Sequence, residues 1–100
     1  MPSPNRTSNP SRPLFALGRV VATRGAQGLL EAAGVGAREL LARHIVGDWG
    51  EVAPEDAEAN EEDLRRGERL LSSYPVGEER IWIITERDRS ATTLLLPSEY

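Results

Sequence analysis

The sequence predicts an α+β domain over residues 14–100: an N-terminal strand, three helices, then a three-stranded antiparallel meander. Three observations predict it. β-branched residues gather in residues 14–23, apolar residues between positions 24 and 66 recur at three- and four-residue steps, and the last third breaks into three β-rich runs. The loops between those runs, Gly77-Glu78-Glu79 and Arg87-Asp88-Arg89-Ser90, have hairpin length.

Taken in order, residues 1–13 (MPSPNRTSNPSRP) hold four Pro, three Ser and nothing apolar after Met1, so they are expected to be a disordered tail. No apolar run follows Arg6, which argues against a secretory signal. Residues 14–23 (LFALGRVVAT) read as the first strand, with Val20 and Val21 suited to a pleated surface and Gly18 marking a bulge or a close approach. Thr23 is a helix cap, and Gln27, Leu29, Leu30 and Ala33 carry a short helix that Gly34 and Gly36 end. A second helix over residues 37–46 places Leu40, Leu41, His44 and Ile45 on one face and stops at Gly47.

Pro54 suits the first turn of a third helix, with Glu55 and Asp56 at its positive end and Arg65 and Arg66 at its negative end before Gly67. Its inward stripe, Ala53, Ala57, Asn60 and Leu64, is weakly apolar, and Asn60 stands where a hydrophobe is expected. Strands are predicted over residues 70–76, 80–86 and 91–96. Alternation sends Ile81 and Ile83 one way and Trp82, Ile84 and Glu86 the other. Trp82, Ile83 and Ile84 are all expected in the core, with both sheet faces mostly covered.

Composition sets the limits. One hundred residues leave room for one domain, and 39% apolar residues with mean hydropathy −0.42 give a modest core. No apolar run has the roughly 18 residues of a membrane helix, so a cytoplasmic protein is expected. With no cysteine and one histidine there is no disulfide, thiolate zinc site, cysteine nucleophile or multi-His metal centre, and no metal or cofactor is expected. Charge is polarised. Residues 1–50 carry six Arg against Glu31, Glu39 and Asp48, while residues 51–100 carry six Arg against thirteen acids. The overall −4 argues against generic binding to phosphate backbones.

The strings LLARHIVGDWG (residues 40–50), PEDAEAN (54–60), RLLSSY (69–74) and IWIITERDRSATTLLLPSEY (81–100) resemble an uncharacterised family of small plasmid-related proteins of bacterial mobile elements. Some members carry a label as a type I restriction-modification subunit. The resemblance runs from Phe15 to Tyr100 and implies a mobile-element setting, with a host or plasmid protein as partner, rather than a particular reaction. The order strand, two helices, three strands also resembles RelE-like ribonuclease toxins, against which the acidic balance speaks.

Chemistry-bearing residues are few. His44 can be drawn as a general base with Asp48 and Glu86 as nearby carboxylates, the sketch of a small hydrolase. On an apolar helix face it reads more simply as a packed histidine, with the inward Asn60 as its partner and Asp48 and Glu86 close by beneath the GDWG turn. The expected function is therefore non-enzymatic protein binding, in anti-defence or plasmid maintenance. The expected contact residues are Asp48 and Trp49 of that turn, Asn60, and Glu86, Asp88, Arg89 and Ser90 of the ERDRS loop. This placement requires Trp49 to be partly exposed. A buried Trp49 and a braced Arg89 would move the site to the acidic segment, residues 51–63.

Overall fold

A computed structural model describes residues 12–100, so the expected tail lies, except for Arg12 and Pro13, outside the described residues. The fold is α+β, with three helices and one four-stranded sheet. Strand β1 (Arg19–Ala22) is followed by helices α1 (Arg24–Ala33), α2 (Ala37–His44) and α3 (Pro54–Arg66). Strands β2 (Leu70–Val76), β3 (Glu79–Thr85) and β4 (Ala91–Leu95) come next, then a 3₁₀ turn, Pro97–Glu99. Thr23 caps α1 by accepting a hydrogen bond from the Ala26 amide at 3.1 Å.

The sheet order is β1-β4-β3-β2. The last three strands form the expected antiparallel meander, but β1 lies parallel to β4, which makes the sheet mixed. The first strand is also shorter than the run of β-formers suggests. Gly18 has φ of 65° and passes so close to β4 that a Cβ there would sit 2.4 Å from the Arg89 carbonyl oxygen. The chain before it leaves the sheet: the Leu14 amide bonds the Ile45 carbonyl and the Leu17 carbonyl accepts from the Thr92 hydroxyl. Helix α2 ends at His44 rather than Val46, because the next amides turn back onto Leu41, Arg43 and His44 carbonyls.

One sheet face holds the core. Leu70, Ser72, Tyr74, Val76, Ile81, Ile83, Thr85, Thr92 and Leu94 alternate onto it and are buried. Ala26 and Leu30 of α1 and Leu40 of α2 pack against its apolar part. The other face carries Leu71, Ile84, Thr93 and Val21 in one row across all four strands, with Trp82 and Leu95 in the next. Among the described residues it is crossed by no helix, only by the 3₁₀ turn and Tyr100, whose ring meets Trp82 edge-on at 5.6 Å. Cover on this face is partial: Ile84 and Leu95 are buried, Leu71, Trp82 and Thr93 half-buried, and Val21 exposed. Two helices supply enough apolar stripe for one face, and α3 is spent elsewhere. Ile84 is buried but Trp82 is only half-buried, so Trp82→Ala is expected to cost about 1–2 kcal/mol in urea unfolding rather than the larger loss of a core indole.

Helix α3 lies along the outer edge of β2. The Asn60 side chain donates to the Leu71 carbonyl at 2.6 Å and accepts from the Leu71 amide at 3.2 Å, pairing as a neighbouring strand would. Two residues on, the Ser73 amide bonds the Trp49 carbonyl and the Glu51 amide bonds the Ser73 carbonyl. The β2 edge is thus closed by a side-chain amide and a three-residue length of loop.

Candidate functional site

His44 ends α2 on its buried face, where the helix period delivers it against the polar end of the sheet core. It is fully buried. Its Nδ1 lies 2.6 Å from Ser72 Oγ and its Nε2 2.9 Å from Thr85 Oγ1. Thr85 Oγ1 lies 2.7 Å from Thr92 Oγ1, and Thr92 donates to the Leu17 carbonyl at 2.7 Å. The alternation of β2, β3 and β4 points these hydroxyls to one face, so a single chain of hydrogen bonds runs from the helix across three strands. Phe15 and Trp49 enclose the imidazole edge-on at 5.2 and 5.8 Å.

The predicted cluster of His44 with Asp48, Asn60 and Glu86 is therefore not formed. Asn60 is committed to the Leu71 backbone, and both imidazole nitrogens are taken by hydroxyls. A serine and a histidine at 2.6 Å resemble a nucleophile and its base, but both are sealed from solvent and no carboxylate orients the ring. Every buried side-chain nitrogen and oxygen of the described residues has a partner, which is how a structural polar core is built. Among the described residues no group of acids and histidine can hold a metal.

Burial, reinforced by the Arg89 charge, pushes the His44 pKa down to about 4 from 6.5. Between those values the unfolded chain binds a proton that the folded chain refuses. Stability is therefore complete above about pH 6.5 and falls as pH drops towards 4, by on the order of 3 kcal/mol in all. Melts taken across this window should decline for the wild type and stay nearly flat for His44→Gln. Asp48, Asp88 and Glu99, held below the ordinary carboxylate range chiefly by hydrogen bonds from Arg43, Ser90 and Thr23, begin to lose their contributions near the ordinary values of 3.8 and 4.5 and go on losing them below.

The GDWG turn is internal bracing. Trp49 is 5% exposed and its indole N–H donates to Glu61 at 2.9 Å. Asp48 accepts from Arg43 Nε at 2.7 Å and from the Gly50 amide at 3.2 Å, while its carbonyl accepts from the Tyr74 hydroxyl at 2.5 Å. The ERDRS loop is also committed. Arg89 has φ of 59° and donates to the Glu68 and Glu86 carbonyls with its guanidinium over the Phe15 ring. Asp88 holds the Ser90 amide and hydroxyl at 3.0 and 2.6 Å. Of the seven expected contact residues, Asp48, Trp49, Asn60, Asp88, Arg89 and Ser90 have side-chain bonds within the fold and Glu86 takes part through its backbone, because turns between well-packed elements need the same polar and aromatic residues that contact sites use.

The acidic segment gathers a groove of about 430 Å³ between α3 and β2, walled by Asp56, Asp63 and Glu68, with the already bonded Asn60 in its lining and Arg69 at one side. Arg69 also borders a second cavity of about 180 Å³ on the helix-free face, closed by Leu71, Trp82, Ile84 and Tyr100. Its guanidinium stands 5.6 Å from the Tyr100 ring centre and donates to the Tyr100 hydroxyl. No carboxylate pairs with Arg69 among the described residues. Arg69, Leu71 and Tyr100 escaped the sequence reading. The signal was present: Trp82 alternates away from Ile81 and Ile83, and the helices have apolar residues enough for only one face.

Comparisons with family models, curated proteins and solved structures return no match to this chain.

Proposed function

We propose that this chain is a non-enzymatic, cytoplasmic protein-binding module of bacterial mobile elements, and that it engages a host or plasmid protein through the helix-free face of its sheet. The observation that carries the reading is the cluster of Trp82, Tyr100 and Arg69 around a small apolar cavity. These are the three residue types most enriched where binding energy concentrates at protein interfaces. Tyr100 is 67% exposed, which leaves an aromatic surface for a partner to cover. At about 180 Å³ the cavity suits one bulky side chain of a protein, whereas small-molecule sites run to about 300–1,000 Å³. The burial of His44 and Ser72 weighs against hydrolysis.

The test is affinity capture from bacterial lysate with the wild type and with Trp82→Ala/Arg69→Ala, read by quantitative mass spectrometry. A partner enriched by the wild type should fall by about tenfold or more with the double variant, once a melt confirms that it is folded. Undiminished capture of the same partner would remove this face from the function.

A further inference from the structure

The two edges of the sheet are treated differently. Asn60 and the Trp49–Glu51 backbone close the β2 edge, while β1, at the opposite end of the sheet, has no neighbour on its outer side among the described residues. The Arg19 and Thr23 amides bond to Ser90 and Leu94 of the β4 side. Strand alternation therefore turns the amides and carbonyls of Val20 and Ala22 outward. Val20 is 44% and Val21 40% exposed, an unusual display of β-branched surface on a free edge.

Charge decides what fits. Residues 12–30 hold Arg12, Arg19 and Arg24 and no acid. The acids of α3 lie at the other end of the sheet, along β2. A second copy paired antiparallel about Val20 would set the two Arg19 side chains diagonally on one face, where like charges oppose. A strand with a carboxylate beside Arg19 and apolar side chains beside Val20 and Val21 matches the first part of this edge, while Glu99, held by the Thr23 hydroxyl and the Gly25 amide, stands past its other end.

We infer that β1 is a docking edge for an extended, acid-bearing segment of a partner protein, which joins the sheet as a fifth strand through the outward backbone groups of Val20 and Ala22. Main-chain bonds supply affinity and Arg19 supplies selection. The inference rests on the binding-module reading but uses the outer edge of the sheet, two strands away from Trp82.

The probe is the blocked peptide TEVVET, whose palindromic sequence presents glutamate to Arg19 in either strand direction, with TKVVKT as its control. Amide exchange is followed by NMR on the full chain. Val20 and Ala22 amides should exchange rapidly in the free protein and slow by about tenfold or more with saturating TEVVET but not with TKVVKT. Arg19→Glu should reverse that preference. Val20→Pro removes an outward donor without touching the β4 ladder and should keep its melt while losing the peptide. Protection of these amides in the free chain overturns the inference, pointing to a second copy if it grows with concentration and to the chain's own residues 1–11 if it does not. Absence of any response to TEVVET overturns it as well. Shifts confined to Trp82 and Tyr100 would overturn it while leaving the helix-free face as the binding site.

Discussion

Replacing His44 with alanine is expected to lower the unfolding free energy by about 3–5 kcal/mol, a large fraction of what a domain of this size possesses. The imidazole is fully buried with its edge against Phe15 and Trp49, whose rings stack on each other at 6.3 Å, so its removal leaves a cavity beside a pair of rings that already support one another. It also strips Ser72 Oγ of a 2.6 Å partner in a place water does not reach, while Thr85 keeps Thr92. Urea unfolding gives the answer directly. A loss below about 1 kcal/mol with an unchanged slope would mean that the network tolerates its missing centre, and a folded variant lacking only partner capture would restore His44 to the functional surface.

Gly50→Ala should be comparably damaging, at about 3–5 kcal/mol, for reasons of backbone alone. Gly50 has φ of 76° and approaches β2 so closely that a Cβ would lie 2.2 Å from the Ser73 carbonyl oxygen and 2.6 Å from Tyr74 Cδ1. Neither atom is the free end of a flexible chain: Ser73 is held in the ladder with Trp82, and the Tyr74 ring is wedged under Arg43 at 4.5 Å. The loop must move away, breaking the Ser73–Trp49 and Glu51–Ser73 bonds that close the β2 edge. Faster amide exchange at Ser73 and Glu51, together with a lowered melting temperature, is the expected result. Unchanged exchange at both would show that the loop accommodates the methyl group without leaving the strand.

The elements were more legible in the sequence than their neighbours. Pro54, Gly67 and the Arg65-Arg66 pair mark α3 to the residue, since caps and dipole-matched charges are local signals. The hairpin loops define the meander for the same reason. The parallel placement of β1 has no local marker, because pairing across most of the chain depends on how the helices fold back. The partners of the inward polar groups have no local marker for a related reason. His44 and Asn60 were both recognised as inward polar groups, and each does have a partner, but the partners are Ser72, Thr85 and the Leu71 backbone, brought in by strands distant in sequence. Glycine and charge at Asp48 and Arg89 suggested contact loops, whereas those side chains secure carbonyls and amides at the corners of the fold. Strand alternation sets Trp82 apart from Ile81 and Ile83 but leaves open whether a helix covers its face.

The parallel pairing of β1 with β4 has a consequence in time. Arg19 aligns with Ala91, so β1 finds its neighbour only after the three helices and the first two strands of the meander have been synthesised. Closing so long a loop has an entropic cost incurred before the pairing gives anything back, which favours slow, late completion of the sheet. On the ribosome, which adds about 5–20 residues each second, α1 and α2 are available seconds before the strands they cover. Val20 and Val21 remain uncovered on both sides of their strand throughout that interval. Until β4 is in place β1 has no strand to pair with, making that interval the period in which chaperone capture or misassociation of β1 is most effective.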